Sequence, residues 1–157
     1  MKIITPLTDE EWDMYYVLRY EILRKPWDQP FDTTFDEWET NSVHALMLND
    51  DGKPVATGRL QINSEDEGQV RSMAVINSGQ GKGLGTQMLR WLEAEAGHRR
   101  MSHIVLDARD DAVNFYKRNG YLVESDSYIL FNTIVHYRMK KVIRSLASPN
   151  PELQTPD

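Results

Sequence analysis

The glycine-rich segment of this chain reads Ser78-Gly79-Gln80-Gly81-Lys82-Gly83-Leu84-Gly85. It follows a predicted strand, 69–76, and precedes a predicted helix that begins at Gly83 and ends near Ala96. Closely spaced glycines cost backbone entropy on folding, which favours them where the main chain must approach a ligand closely. At a helix N-terminus that ligand is usually an anion, because unpaired N–H groups and the helix dipole both attract negative charge. The segment therefore predicts an anion site, to which Lys82 adds a formal charge.

Two common phosphate-binding motifs differ from this segment. The P-loop requires Ser or Thr after its Gly-Lys pair, whereas Gly83 follows Lys82 here. The dinucleotide fingerprint requires G-x-G-x-x-G, whereas glycines 79, 81, 83 and 85 alternate with other residues. A merely flexible turn between strand and helix is the remaining alternative.

The rest of the chain predicts one α/β domain. Thr8 and Glu11 have the spacing of a capping box, and the helix that they begin is expected to end near Arg24, before Pro26. We expect further helices at 83–96 and 110–118, and strands at 2–5, 43–48, 53–63, 69–76, 103–108, 120–124 and 129–142. This order predicts a mixed central sheet of about six to seven strands with flanking helices. The predicted domain covers residues 1–147, and residues 148–157, with three prolines and no apolar pattern, are predicted to form a disordered tail.

Composition narrows the function classes. The net charge of −6 argues against general affinity for nucleic acid, and no apolar run is long enough to span a membrane. With no signal peptide visible, a cytoplasmic protein is expected. The absence of cysteine excludes disulfides, thiolate metal sites and a cysteine nucleophile, and the histidines lack the spacing of metal ligands, so no metal is expected. Residues 28–51 contain seven acidic residues and no lysine or arginine, which suggests either a cationic small-molecule substrate or a solvated face.

Two segments together resemble the GNAT superfamily of acyltransferases. Met73-Ala74-Val75, a spacer and the segment from Gln80 to Gly85 resemble its acyl-CoA motif Q/R-x-x-G-x-G/A. Phe115-Tyr116-Lys117-Arg118-Asn119-Gly120-Tyr121 resembles its second signal, F-Y-x-x-x-G-F/Y. Further likeness at 69–75, 107–109 and 134–140 points to a small bacterial-type subgroup, and the resemblance covers about residues 18–140.

The resemblance implies acetyl-CoA as the cosubstrate and assigns residues to it. Its pantetheine arm is expected along the strand end formed by Met73, Ala74 and Val75. Its pyrophosphate is expected on the loop and first helical turn, which comprise Gln80, Gly81, Lys82, Gly83, Leu84, Gly85 and Thr86.

The resemblance also places the Tyr116 hydroxyl near the thioester sulfur, where a phenol can protonate the leaving thiolate. The alternative is a core aromatic residue whose hydroxyl is satisfied elsewhere. His136 is the best candidate for the base that deprotonates the amine, with a hydrogen-bonded structural histidine as the alternative, and His44 is a weaker candidate. Arg109 stands where many family members have Asn, so it reaches the cofactor, reaches the substrate or pairs with an acid.

These features together predict an N-acetyltransferase that moves an acetyl group to a primary amine of a small molecule. Without cysteine, direct transfer in a ternary complex is expected rather than an acyl-enzyme. Dimers are common in the family, so a homodimer is expected. Two alternatives stay open: a non-catalytic acyl-CoA sensor of the same fold, and an acyltransferase that uses a longer acyl donor.

Overall fold

The computed structural model describes residues 1–144, which form a seven-stranded mixed sheet with helices on both faces. The strands are β1 (Lys2–Ile4), β2 (Ser42–Leu48), β3 (Pro54–Ile62), β4 (Glu67–Val75), β5 (His103–Arg109), β6 (Leu122–Leu130) and β7 (Ile134–Val142). The helices are α1 (Asp9–Leu23), α2 (Leu84–His98) and α3 (Val113–Arg118). The sheet order is β1-β2-β3-β4-β5-β7-β6, which confirms the predicted α/β class and the predicted order of elements.

Part of the predicted domain, residues 145–147, and the predicted disordered tail lie outside the described residues. No helix within residues 1–144 combines the length and the apolar character that crossing a membrane requires.

The last two strands differ from their predicted bounds. β6 extends to Leu130 rather than ending at 124, and β7 begins at Ile134 rather than at 129. Both Phe131 and Asn132 in the connection have positive φ, 52° and 60°. Two successive left-handed residues are the geometry of a tight hairpin turn, but the usual signal is Asn-Gly or Asp-Gly. Phenylalanine in that position hides the turn from sequence analysis.

Helix α1 begins at the predicted capping box. The Thr8 side chain accepts a hydrogen bond from the Glu11 N–H at 3.1 Å, and the Glu11 carboxylate accepts one from the Thr8 N–H at 3.1 Å. Two of the otherwise unpaired N–H groups at the helix start are thereby satisfied. The helix ends at Leu23, immediately before a 3₁₀ turn, Lys25–Trp27, that contains a proline.

One face of the sheet is an apolar core under α2. Met88, Leu89 and Leu92 are fully buried there. Gly58 of β3 permits the close approach of α2, since a Cβ atom at Gly58 would lie 2.8 Å from the Met88 Cγ. This packing fixes the start of α2 beside the end of β4.

The opposite face, which α1 covers, contains a buried ionic network. The Arg59 side chain of β3 is completely buried and pairs with Asp36 and Glu39. Arg19 of α1 donates to Glu39 at 2.5 Å and to the Thr34 carbonyl at 2.7 Å. The network fastens the segment between α1 and β2 to the sheet. It also engages two carboxylates of the acidic stretch that suggested a cationic substrate.

The first prediction concerns the stability of the protein at low pH, which depends on this network. Burial opposes ionisation of Asp36, but the hydrogen bonds and charge of Arg59 outweigh burial and lower its pKa to about 2. A carboxyl whose folded pKa lies below its unfolded value near 3.9 stabilises the fold above that value and loses this contribution as pH falls. We expect the melting temperature to fall between about pH 4 and pH 2.

Asp36→Asn should remove that part of the pH dependence and lower the stability at pH 7 by about 1–2 kcal/mol. This is less than for a fully buried pair, because the Asp36 side chain is 35% exposed and Glu39 still pairs with Arg59. Asp32→Asn removes the same charge in the same segment from a carboxylate with no partner among the described residues, and should change stability by less than about 0.5 kcal/mol. Equal acid profiles for wild type and Asp36→Asn would contradict the assignment.

Candidate functional site

The glycine-rich loop presents a row of free N–H groups. Gly83 is the N-cap of α2 and has no side-chain cap, and the first N–H of this region with a backbone partner is that of Gln87. Within the described residues, the N–H groups from 81 to 86 donate to no acceptor. Unpaired N–H groups at a helix N-terminus attract anions. The structure thus has unpaired N–H groups where the sequence predicts an anion site.

The four glycines of the loop divide into two pairs. Gly81 and Gly83 have φ of 78° and 77°, and no atom lies within 4 Å of a Cβ built on either. They allow the left-handed backbone that aligns the N–H groups. Gly79 and Gly85 instead allow packing, since a Cβ on them would lie 2.7 Å from Leu84 and 3.2 Å from the Phe115 ring. Phe115 therefore brings α3 against the loop.

A gap opens between β4 and β5 beside this loop. The two parallel strands pair only at 67–69 with 103–105, so β4 has no partner on that side from Val70 to Val75. A bulge in β4 faces Gly58 of β3, and its Ser72 has φ of 54°. The Thr57 hydroxyl donates to the Ser72 carbonyl at 2.9 Å and holds the bulge. A bulge bends its strand, which accounts for the divergence of β4 from β5.

The end of β4 turns its polar backbone atoms into the gap. The Ile76 N–H donates to the Val55 carbonyl at 3.1 Å, while Val75 lies opposite Ala56. In an antiparallel ladder this spacing makes Val75 a non-hydrogen-bonded position toward β3, so its N–H and C=O point toward β5. Ala74, opposite Thr57, is buried and directs its own polar groups to β3. The gap can therefore accept an extended ligand as an added strand.

Tyr116 is buried on the α2 side of the sheet. Its ring contacts Phe115 and Tyr121 edge to face, at centroid distances of 5.0 and 5.8 Å. Burial raises the pKa of the Tyr116 phenol to about 12, and the charge of Arg109 acts in the opposite direction. Its hydroxyl makes no hydrogen bond with any described residue. Tyr116 is thus a buried aromatic side chain whose hydroxyl has no partner among the described residues.

His136 lies on the α1 side of the sheet, opposite Arg109 in the β5–β7 ladder. Its Nδ1 lies 2.9 Å from the Ile134 carbonyl, which can only accept, so Nδ1 carries the proton and Nε2 has a free lone pair in the neutral ring. The ring stacks on Tyr128 at 4.4 Å. The two predicted catalytic residues thus lie on opposite faces of the sheet and not side by side.

His44 has no free nitrogen. Its Nε2 lies 2.7 Å from the Glu39 carbonyl and must donate, so its Nδ1 accepts from the Tyr15 hydroxyl at 2.7 Å. Burial lowers the His44 pKa, which keeps the ring neutral. His44 is therefore a structural residue of the α1–β2 contact. Among the described residues, no group of histidine, aspartate and glutamate side chains forms a metal site.

Sequence analysis missed a cluster of arginines and aromatic rings on the α1 face. Arg109 lies over the Trp27 ring at 4.7 Å, and Arg24 lies over Phe131 at 5.6 Å. Arg109 makes no ion pair with a described acid, which removes one of its three predicted roles. The cluster was missed because its members come from segments far apart in sequence.

The comparisons with known proteins agree with this architecture. Residues 6–121 match the Acetyltransferase (GNAT) family. The chain is 30% identical over 141 residues to a Bacillus subtilis protein named uncharacterized N-acetyltransferase YjcF, covering 90% of this chain and 99% of that one.

Solved structures give the same fold. A putative N-acetyltransferase from Lactobacillus plantarum superposes with a TM-score of 0.80 at 23% identity, covering 91% of this chain and 98% of that one. An aminoglycoside 6'-N-acetyltransferase complexed with coenzyme A superposes with a TM-score of 0.76 at 16% identity, covering 96% of this chain and all of that one (100%). With the free N–H row, the open strand edge and the family match, the chain belongs to the acetyltransferase (GNAT) family and is an acyltransferase.

Proposed function

We propose that this protein transfers an acetyl group from acetyl-CoA to the primary amine of a small molecule, directly and within a ternary complex. The observation that carries the proposal is the row of free N–H groups from Gly81 to Thr86, next to the unpaired edge of β4. The first suits a pyrophosphate, and the second suits an extended chain with amide groups. Acetyl-CoA contains both groups, a pyrophosphate followed by an extended arm with amide groups.

The residues that would hold acetyl-CoA follow from this match. The backbone N–H groups from Gly81 to Thr86 would bind the pyrophosphate, with Gln80 beside them, and the exposed Lys82 would add charge. The backbone of Met73 and Val75 would pair with the pantetheine arm. Ala74, which lies between them, directs its own N–H and C=O toward β3. The thioester supplies an activated acyl group at the end of that arm.

The chemistry needs one acid, one base and one donor to the carbonyl. The amine nitrogen bonds to the thioester carbon and the carbon–sulfur bond breaks, so the thiolate takes up one proton and the amine loses one. The Tyr116 phenol, kept neutral by its raised pKa, donates to the thiolate. The Val75 N–H polarises the carbonyl from the gap, and the free Nε2 of His136 receives the proton of the amine from the other face.

We also propose a homodimer that works in the cytoplasm. β6 is one of the two edge strands of the sheet, and its Leu122 and Ile129 side chains are 73% and 62% exposed. Exposed apolar side chains on an unpaired edge favour association with a second copy. Sedimentation equilibrium tests this, and a monomer at every concentration would refute it.

The second prediction tests the loop. Gly83→Ala should weaken acetyl-CoA binding about tenfold or more, because a non-glycine residue at positive φ costs roughly 1–2 kcal/mol and displaces the N–H row. Isothermal titration calorimetry measures the affinity.

Gly52→Ala is the matched control. Gly52 has φ of 76° and nothing within 4 Å of a built Cβ, as at Gly83, but it lies in the β2–β3 turn. The Gly52→Ala variant should lose about as much stability as Gly83→Ala and should keep the wild-type affinity for acetyl-CoA. If well-folded wild-type protein binds no acyl-CoA, the proposed function is wrong.

The third prediction separates two neighbouring tyrosines. Tyr116→Phe should lower kcat about a hundredfold with unchanged acetyl-CoA affinity, because it removes the proton donor. It should hardly change the melting temperature, since the hydroxyl has no partner among the described residues. Steady-state thiol release measures kcat.

Tyr121→Phe should do the reverse. The Tyr121 hydroxyl donates to Glu93 at 3.1 Å, so its loss should cost roughly 1–2 kcal/mol of stability and leave kcat intact. Full activity in Tyr116→Phe would exclude Tyr116 as the acid. Acetyl-CoA binding without turnover of any amine would favour the sensor, and a preference for longer acyl-CoA would favour the other alternative.

The fourth prediction concerns the base. His136→Asn should lower kcat/KM for the amine at least about tenfold at pH 7, because it removes the free ring nitrogen that receives the proton of the amine. The exposed His98, changed in the same way, should leave kcat/KM unaltered. A wild-type kcat/KM in His136→Asn would assign His136 a structural role.

A further inference from the structure

Three arginines converge on the α1 face of the sheet, at the two borders of the gap. Arg71 lies on β4 opposite Arg59, whose side chain faces α1, so Arg71 faces α1 as well. Arg109 lies at the end of β5, and Arg24 directly follows α1. We call Arg24, Arg71 and Arg109 the arginine cluster. All three side chains are partly buried, and none pairs with a described acid.

Aromatic rings and carbonyl groups hold the cluster in place. The Trp27 ring lies under Arg109 and the Phe131 ring under Arg24, and the two rings are 6.2 Å apart. Arg24 donates through Nε to the Thr33 carbonyl at 3.0 Å and through Nη1 to the Leu23 carbonyl at 3.1 Å. These contacts leave the second terminal nitrogen of Arg24, and all donors of Arg109, free among the described residues. Guanidinium groups fixed by their faces keep their edges available for an anion.

The acids nearby are already engaged. Asp107 accepts from Ser127 at 2.7 Å, from Arg138 at 3.2 Å and from Gln69 at 3.3 Å. Asp36 and Glu39 are bound to Arg59 and Arg19. Each of these carboxylates has its own cation, so the described acids leave the arginine cluster without a counter-charge.

The positive charges of neighbouring arginines affect the pKa of Arg24. Burial lowers the pKa of Arg24, and the charges of Arg19, Arg71 and Arg109 lower it further, against an opposing effect of Tyr128. Gathering three partly buried cations without an anion is unfavourable unless a ligand supplies the charge. The cluster is thus more consistent with a ligand site than with a structural ion pair.

A ligand bound on the glycine-rich loop would not supply the anion that the arginine cluster needs. The loop and α2 lie on the other face of the sheet, where Met88 packs on Gly58. The arginine cluster shares its face with His136, whose free Nε2 is the proposed base. An anion between Arg71 and Arg109 would therefore place the rest of its molecule at the gap, beside that nitrogen.

From this arrangement we infer that the acceptor amine carries an anionic group, a carboxylate or a phosphate, which the arginine cluster binds. This rests on the proposed function and replaces the cationic acceptor that the acidic stretch suggested. The acceptor is then an amine and an acid joined by a short spacer, such as an amino acid or an amino-alkyl phosphate.

The experiment compares amines that differ only in their acid. Thiol release with acetyl-CoA is measured for β-alanine against its amide, for phosphoethanolamine against ethanolamine, and for spermidine as a polycation. We expect kcat/KM for an acidic member to exceed its neutral partner at least about a hundredfold, since each charge-assisted hydrogen bond contributes roughly tenfold or more. The better of the two acidic probes identifies carboxylate or phosphate as the preferred group.

Substitutions connect the preference to the cluster. Arg71→Gln and Arg109→Gln should each lower kcat/KM for the acidic amine about tenfold or more, leave the neutral partner within about twofold and keep acetyl-CoA affinity unchanged. Arg109→Lys should restore part of the loss. Arg90→Gln, the same change at an exposed position of α2, should have no effect.

Different failures have different meanings. Turnover of amines with equal or greater preference for neutral or cationic ones overturns the inference and leaves the proposed function intact. Absence of acetyl-CoA binding overturns the proposed function itself. If no amine is turned over or a variant does not fold, calorimetry of β-alanine and inorganic phosphate with the wild-type acetyl-CoA complex decides. Binding to that complex supports the inference, and no binding at millimolar concentration refutes it.

Discussion

The separation of β4 from β5 is the constraint on which the other features depend. A parallel pair normally satisfies the backbone groups of both strands along their shared length. Here pairing ends after Gln69, and the bulge at Ser72, held by Thr57, turns the remainder of β4 away. The free N–H row of the loop lies at one end of the opening that results, and Arg71 and Arg109 lie on the two strands that border it.

The two faces of the sheet use different means of cohesion. Under α2, apolar side chains pack closely, and the burial of their apolar surface stabilises the fold. Under α1, a fully buried Arg59 is balanced by Asp36 and Glu39, and Glu39 also binds Arg19. A buried ion pair adds little net stability against its desolvation cost, but loss of either partner is expensive. The network therefore fixes where residues 34–39, between α1 and β2, lie against the sheet.

Much of this architecture could be predicted from the sequence, because its signals are local. The capping box of Thr8 and Glu11, the order of the elements and the alternating glycines of the loop each depend on neighbours within a few residues. The β6–β7 hairpin was misplaced because Phe131 occupies a left-handed turn position that usually holds asparagine or glycine. The arginine cluster could not be predicted, since its members approach one another only when three distant segments fold together. The sequence also could not show that Asp36 and Glu39 serve Arg59 rather than a ligand.

The opening between the strands has a fixed length as well as a fixed position. It is closed at one end, where Gln69 lies opposite Val105, and it reaches the loop at Val75. The six strand steps from Gln69 to Val75, at about 3.4 Å each, make this slot about 20 Å long. An extended ligand that enters from the loop meets the paired part of β4 and β5 at the far end, and it can extend no further along β4. The position of one bulge in one strand thereby limits how much of a linear molecule can be bound along the edge of β4.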